Sequence, residues 1–381
     1  MDRRRRPRRP QAKPRRPHGA PRALGDAVRA SADVNLVELL RELVEIESPT
    51  GDTGEIQARL EQELRAVCAG VERRGDHLYA TIEGDEPPLL LLGHVDTVWP
   101  RGTLARMPFR LDGDRAYGPG THDMKGGLVV LLEALRRTET RHAIRVVVNA
   151  DEEIGSPESR SLLAEAAAGA VAAFVLEGPA EGGHLKTARK GIGRFTLTVR
   201  GRAAHAATPA EGVSAIEEVT HQVLRLQRLA GHGVSVNVGL VSGGTRENVV
   251  AAGAEAVFDV RVPTLADRER IDAALGELRP VLEGAQIELA GGWTRPPLER
   301  SQGAARLFAA AREHGRQLGL ELEERSVAGG SDGNLVGQLV PVLDGLGPEG
   351  GGAHADDEHV LIASLAVRAE LLAMILREPG L

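Results

Sequence analysis

Three short and almost wholly apolar runs, separated by stretches with helical spacing, place the strongest constraint on the fold. They cover residues 89–98 (LLLLGHVDTV), 144–149 (IRVVVN) and 171–176 (VAAFVL). Runs of this kind are typical of strands that are buried on both faces of a sheet. Helices are predicted between them, over 124–136 and 158–168. The alternation predicts an α/β fold in which helices cover both faces of a mostly parallel sheet.

A second pattern begins after residue 190. Residues 192–200 alternate apolar and polar side chains, which predicts a half-solvated antiparallel strand. Helices are predicted over 211–230 and 265–281, and strands over 234–241, 254–262 and 286–290. The order β-α-β-β-α-β is that of the ferredoxin-like split unit. We therefore expect a smaller α+β domain, 187–297, inserted into a larger α/β domain formed by 32–186 and 298–381.

The N-terminal segment is basic, whereas the rest of the chain is acidic. Residues 1–30 hold ten Arg, one Lys and two Asp, a net charge of +9; the whole chain has −7, so residues 31–381 carry −16. Proline repeats and like charges predict that residues 1–31 form a disordered tail. This tail is either an arm for nucleic acid or anionic membranes, or a dispensable extension. Because no aromatic residue interleaves its arginines, we favour the extension and expect no nucleic-acid partner.

Cysteine content and the lengths of the apolar runs exclude several cellular locations and site types. Cys68 is the single cysteine, which excludes an internal disulfide framework and a cysteine-only zinc site. No run of 18 apolar residues exists, so no membrane-spanning helix is expected. No apolar segment of an export signal follows the arginine pairs. We predict a cytoplasmic protein.

Side chains that bind metals follow the predicted strands. They are His94 and Asp96 after the first run, the acids 151–153 after the second, Glu177 after the third, and Asp123 and His354 in glycine-rich segments. Taken singly, each has an ordinary explanation, such as a strand end, a helix N-cap or a solvated acidic turn. Together they should meet at the carboxyl edge of the sheet. Imidazoles and carboxylates without cysteine suit a catalytic zinc or similar ion, and five ligands suit two ions bridged by one carboxylate.

Four of these segments resemble the motifs of one known family. GHVDTV at 93–98, GPGTHDMKGG at 118–127, DEEIGS at 151–156 and AHADDEHV at 353–360 are similar to motifs of the co-catalytic zinc exopeptidases. That family includes glutamate carboxypeptidase, acetylornithine deacetylase, succinyl-diaminopimelate desuccinylase and the aminoacylases. The similarity runs from about residue 35 to 378. GGSDG at 329–333 and TRPP at 294–297 fit the bacterial glutamate carboxypeptidase branch best.

The resemblance implies a role for each metal-site residue. It implies that His94 and Glu177 bind one ion, that Glu153 and His354 bind the other, and that Asp123 bridges them. Glu152 would be the general base, and Asp96 would support His94. The ions would be Zn²⁺, with Co²⁺ or Mn²⁺ as alternatives. A cis peptide between Asp123 and Met124 is also implied.

The resemblance further implies a lid and a dimer. The inserted domain is similar to the family's lid and dimerisation domain, so we expect a homodimer. His205 matches a histidine that crosses to the partner's active site. Asn248 and Arg295 match residues that hold the substrate's free carboxylate or the developing oxyanion, and Arg261 is a weaker candidate. His122, where a small residue is expected, is either a solvent-facing replacement or an additional imidazole near the metals.

The implied activity is metal-dependent hydrolysis of an amide or peptide bond next to a free carboxylate, as in a glutamate-type carboxypeptidase. The expected substrate is a small acylated amino acid or a short peptide. An N-acyl amino acid deacylase and a dipeptidase remain open alternatives, because pocket shape sets the side-chain preference. An inactive binding relative is a third alternative, and the presence of Glu152 and all five ligand positions argues against it.

Overall fold

The computed structural model describes residues 26–381, with side chains from residue 35 onward. The first 25 residues of the predicted 31-residue tail therefore lie outside the described part of the chain, and residues 26–31, which were predicted as its end, form the start of the first helix. The helices are α1 (Asp26–Val44), α2 (Gly54–Arg65), α3 (Gly126–Arg137), α4 (Arg160–Ala167), α5 (Ala215–Gln227), α6 (Leu265–Gly276), α7 (Gln302–Gln317), α8 (Gly333–Val336) and α9 (Ile362–Arg377). Within this part, no helix is long and apolar enough to cross a bilayer.

The strands build three sheets. They are β1 (Gly70–Arg74), β2 (His77–Ile82), β3 (Glu86–His94), β4 (Arg110–Asp112), β5 (Arg115–Tyr117), β6 (His142–Asn149), β7 (Ala172–Val175), β8 (Leu185–Arg189), β9 (Gly191–Arg200), β10 (Ser235–Gly243), β11 (Gly253–Val262), β12 (Gln286–Arg295), β13 (Glu324–Val327), β14 (Val342–Asp344), β15 (Gly350–Gly351) and β16 (His359–Leu361).

The largest sheet has eight strands in the order β1-β2-β6-β3-β7-β14-β8-β13. The apolar runs form its centre, where β3 lies parallel to β6 and β7, and β14 lies parallel to β7. The register pairs His94 with Asn149 and Leu92 with Val175, so these strands end at one edge. The expectation of a mostly parallel sheet holds only for this centre. β1, β2 and the β14–β8 pair are antiparallel, so the sheet is mixed.

A four-stranded antiparallel sheet lies between residues 191 and 295, in the order β10-β11-β9-β12. Its apolar face packs against α5 and α6 around a core that includes Phe195, Leu197 and Phe258. Ser214 and Thr264 are the N-cap residues of these two helices. The side chain of each accepts a backbone N–H from the first turn of its helix. The chain crosses between the two sheets at 189–191 and 295–298, where Arg189 and Leu298 exchange two backbone hydrogen bonds of 2.9 Å.

A third, small sheet with the order β15-β16-β5-β4 brings two distant loops together. β5 leads into the glycine-rich loop that carries Asp123, and β16 ends the loop that carries His354. His359 pairs with Tyr117 in the antiparallel ladder. The two loops therefore leave the same end of this ladder, which places Asp123 beside His354.

Candidate metal centre

Asp123 lies between two imidazoles at the edge of the large sheet. Its Oδ1 is 3.3 Å from His94 Nε2, and its Oδ2 is 3.2 Å from His354 Nε2. Glu177 Oε1 is 3.7 Å from His94 Nε2, and Glu153 Oε2 is 3.5 Å from His354 Nε2. The structure thus brings together all five side chains that the sequence predicted as ligands, with one carboxylate between two pairs.

Asp96 is fully buried and ties His94 to the acidic turn. Its Oδ1 lies 3.4 Å from His94 Nδ1. Its two oxygens accept the backbone N–H groups of Glu152 and Glu153, each at 3.2 Å, and Thr50 Oγ1 donates to it at 2.8 Å. One carboxylate therefore orients an imidazole and the turn that carries two further acids. The contribution of Thr50, in a loop before α2, had no sequence signal.

Burial and neighbouring charges shift the pKa values of the clustered carboxylates in different directions. Burial raises the pKa of Glu152 well above its ordinary value, and burial together with the charge of Asp123 raises the pKa of Glu177 to about 7. Burial would also raise the pKa of Asp123, but hydrogen bonds from the two imidazoles outweigh it and hold that pKa well below its usual range. Glu153 Oε1 is buried without a hydrogen-bond partner. Crowded carboxylates, imidazoles and an unpartnered oxygen fit a pair of divalent cations.

Glu358 is a buried carboxylate that sequence analysis missed. It accepts backbone N–H groups from Gly120 at 2.8 Å and from His122 and Asp123 at 3.0 Å each, and the Trp99 indole N–H at 2.9 Å. It therefore fixes the loop that presents Asp123. In the sequence it is the last acid of a polar run, ADDE, and nothing in that run distinguishes a buried acid from exposed ones.

Arg295 ends β12 and is buried against the acidic turn. Its Nη2 donates to Glu152 Oε1 at 2.7 Å, and its Nη1 donates to Asp332 Oδ1 at 2.9 Å. Both Arg295 and Glu152 line a cavity of about 320 Å³ that also reaches Asp123 and His354. Further cationic side chains line this cavity: Lys186, Arg189, Arg194 and Arg261. The cavity thus has an acidic end and a basic wall.

The other two predicted substrate-binding residues do not reach this cavity. His205 and Asn248 are exposed and absent from its wall. They lie beside each other, since His205 bridges to Val249 and Ala206 N donates to Asn248 O at 3.0 Å. His205 was expected to act in the partner's active site. Both residues sit in loops of the four-stranded sheet and not at the edge of the large sheet, so their substrate-binding role stays a prediction.

His122 is not a solvent-facing replacement. Its ring packs on Gly178, where an added Cβ would lie 2.3 Å from it, and its Nδ1 is buried without a partner. Burial lowers the pKa of His122 to about 4, so the imidazole is neutral at neutral pH. It lines the cavity beside Asp123. The peptide between Asp123 and Met124 is cis, as the resemblance implied.

Similar structures share this fold along nearly the whole chain. A tripeptidase from Staphylococcus aureus has a TM-score of 0.77 at 24% identity, over 91% of this chain and 98% of that one. A dinuclear metal-binding peptidase of the M20 family from Bacillus subtilis has a TM-score of 0.69 at 19% identity, over 92% and 99%. At these sequence identities, the structural similarity supports the fold and not a particular activity.

Sequence comparisons identify the family. Carboxypeptidase G2 from Pseudomonas sp. (strain RS-16) is 33% identical over 376 residues, covering 91% of this chain and 89% of the relative. Succinyl-diaminopimelate desuccinylase from Halorhodospira halophila is 27% identical over 362 residues, covering 86% and 94%. The family model of Peptidase family M20/M25/M40 matches residues 90–378. The chain therefore belongs to this family of metallopeptidases and amidohydrolases and is an enzyme of that kind.

Proposed function

We propose that the enzyme hydrolyses an amide or peptide bond next to a free carboxylate, as a glutamate-type carboxypeptidase does. The observation that carries this proposal is the cavity in which Asp123 stands between two imidazoles while a basic wall faces it. The acidic end suits the metals, and the basic wall suits an anionic substrate. The similarity to carboxypeptidase G2 supports the same assignment.

Two divalent cations, with Zn²⁺ as the proposed metal, fit the cluster. His94 and Glu177 would hold one ion, and Glu153 and His354 would hold the other. Asp123 would bind both ions. When bound, such cations act as Lewis acids on the scissile carbonyl and lower the pKa of water.

Glu152 is the proposed general base. It lies at the cavity wall beside the cluster, where its carboxylate can take a proton from water and deliver it to the leaving amine. Asp96 positions it by accepting its backbone N–H. Arg295 holds the carboxylate in place from the other side, through the 2.7 Å hydrogen bond.

The basic wall would bind the substrate's carboxylate. Arg261 and Arg194 lie on adjacent strands of the four-stranded sheet, and Arg295 ends a third strand of it. Two nitrogens of Arg295 already donate hydrogen bonds to Asp332 and Glu152, so a substrate carboxylate would share this guanidinium with the two protein carboxylates. A guanidinium binds a carboxylate through parallel hydrogen bonds, which favours substrates that end in an acid.

The four-stranded sheet is proposed as a ferredoxin-like lid and dimerisation domain, residues 187–297. Its edge strand β10 exposes 68% of Leu240 and 57% of Val241, an apolar edge that a second copy would cover. A dimer would also give His205 and Asn248 a place at the partner's cavity. A cytoplasmic location and the disorder of residues 1–25 remain predictions from composition.

A deacylase of N-acyl amino acids is the second candidate. It is favoured by the relatives named succinyl-diaminopimelate desuccinylase and acetylornithine deacetylase, which are 27% and 29% identical over 362 and 319 residues. Both reactions break an amide bond beside a carboxylate, so the same cavity serves either.

A substrate panel tests the proposal. The zinc-loaded enzyme should cleave N-benzoylglutamate and a short peptide ending in glutamate faster than N-acetylornithine or N-succinyl-diaminopimelate. It should also prefer the free acids over their α-amides. Arg295→Ala should raise KM for the acids, whereas Arg300→Ala, an exposed partner of Glu324, should not. Equal turnover of acids and amides would contradict the proposed requirement for a free carboxylate. A preference for N-acetylornithine would favour the deacylase.

A further inference from the structure

A second cavity lies where the two large sheets meet, and the mechanism does not use it. Its volume is about 320 Å³. Arg160 and Leu335 reach it from helices packed on the eight-stranded sheet, namely α4 and α8. Leu265 and Arg268 from α6, and Trp293 from β12, close it from the four-stranded sheet. A molecule bound there would touch both parts of the fold.

The wall combines an indole and apolar side chains with two guanidinium groups. Arg268 lies over the Trp293 ring, 5.4 Å from its centroid, and Leu265 and Leu335 complete the apolar part. Among the described residues, no acidic side chain lines the cavity. Asp272 stands outside it, 3.6 Å from Arg268 Nε, and accepts the indole N–H at 2.7 Å. Two cations beside an aromatic surface fit a small anion with an apolar body.

Strand β12 contributes to the walls of both cavities. Thr294 lines both cavities, and the next residue is Arg295, which holds Glu152. Arg160 Nη2 donates to the Thr294 carbonyl at 2.6 Å. An anion that attracts the Arg160 guanidinium competes with this carbonyl. The hydrogen bond between Arg160 and Thr294 is therefore the contact through which a ligand in the second cavity would affect Arg295.

We propose that this second cavity is a regulatory binding site for a small organic carboxylate with an aromatic or branched apolar body. Arg160 and Arg268 bind the carboxylate, and Trp293 and the two leucines contact the body. Because Thr294 and Arg295 are consecutive in β12, a ligand that draws Arg160 away from the Thr294 carbonyl changes the apparent KM of the catalytic site. This regulatory step rests on the proposed hydrolysis, whereas the binding step does not.

Binding is tested on the zinc-loaded enzyme with 3-phenylpropionate, read by quenching of Trp293 fluorescence. The chain has two tryptophans, so Trp293→Phe identifies the signal that belongs to the cavity. We expect saturable quenching by the acid and none by 3-phenylpropanol, which lacks the charge. Arg160→Ala and Arg268→Ala should each weaken binding at least about tenfold, which is about 1.4 kcal/mol and the lower limit for a hydrogen bond between charged groups. Arg270→Ala, on the same helix but off the cavity, should bind as the native chain does.

Two further variants separate the second cavity from the catalytic one. Arg261→Ala should leave the quenching unchanged, because Arg261 lines only the catalytic cavity. Quenching that survives Arg160→Ala and Arg268→Ala but is lost in Arg261→Ala would overturn the proposal, as would the absence of saturable quenching in the native chain. For regulation, 3-phenylpropionate should shift the KM of the native enzyme and not that of Arg160→Ala. An equal shift in both would show ordinary competition at the metal centre, independently of which substrate is cleaved.

Discussion

Glu358 offers the sharpest test of how the metal centre is positioned, through the substitution Glu358→Gln. One carboxylate oxygen accepts two N–H groups, from His122 and Asp123, and the other accepts those of Gly120 and Trp99. A glutamine of the same shape has only one acceptor oxygen, so two buried donors would face an NH₂ group. Each unsatisfied buried donor costs about 1–3 kcal/mol, so we expect the free energy of unfolding to fall by about 2–6 kcal/mol.

Two measurements check this prediction. Urea unfolding of the metal-free protein gives the loss of stability, and calorimetric zinc titration gives the affinity, which should fall because the Asp123 loop is no longer held. Glu370→Gln is the matched control. Glu370 is a half-exposed acid on α9 that pairs with Arg137 and Arg377, and its loss should cost less than about 1 kcal/mol. If Glu358→Gln behaves like Glu370→Gln in both assays, the proposed support of the loop is wrong.

Three further outcomes are expected at the metal centre. Glu152→Gln should keep two metal equivalents by elemental analysis and lose about 10²–10⁴-fold in kcat; an active, metal-replete variant would contradict the base assignment. Chelation should abolish hydrolysis, and zinc or cobalt should restore it; activity that withstands chelation argues against metal catalysis. In the metal-free protein, hydrogen bonds to Asp123 and Glu153 raise the pKa of His354 from 6.5 to about 10. The stability it contributes is therefore complete below pH 6.5 and is lost as the pH rises towards 10. Metal binding needs the neutral imidazole, so zinc affinity should rise about tenfold per pH unit in that window; a flat profile refutes the assignment.

The sequence predicted the central strands and the metal cluster for the same reason. Residues 89–94 and 144–149 are mostly apolar, because helices cover both faces of the sheet there. Parallel strands end at one edge, so His94 and the acids after Asn149 had to meet. Local spacing was sufficient for His94 and the acids after Asn149, which lie at strand ends, whereas the roles of Asp123 and His354 were implied by the family resemblance.

What the sequence did not predict depends on contacts between distant residues. Trp99 and Glu358 are 259 positions apart, and Asn149 and Asp332 are 183 apart, so no local pattern links them. Lys125 is fully buried and donates to the Ile46 carbonyl at 2.8 Å, although its neighbours read as a glycine turn. The hairpin of β1 and β2 was also missed, because its short, mixed strands lack the apolar runs of the sheet centre.

A buried carboxylate holds each of two loops of the metal centre. Asp96 accepts two backbone N–H groups of the acidic turn, and Glu358 accepts three of the Asp123 loop. Asp151 does the same for residues 158 and 159, where α4 begins. A carboxylate whose oxygens accept backbone N–H groups fixes a loop, whereas a ligand carboxylate must keep an oxygen for the metal, as Glu153 does. The division of the buried acids into loop-holding and metal-facing groups explains how the segments that carry Asp123 and Glu153 are placed before any ion binds.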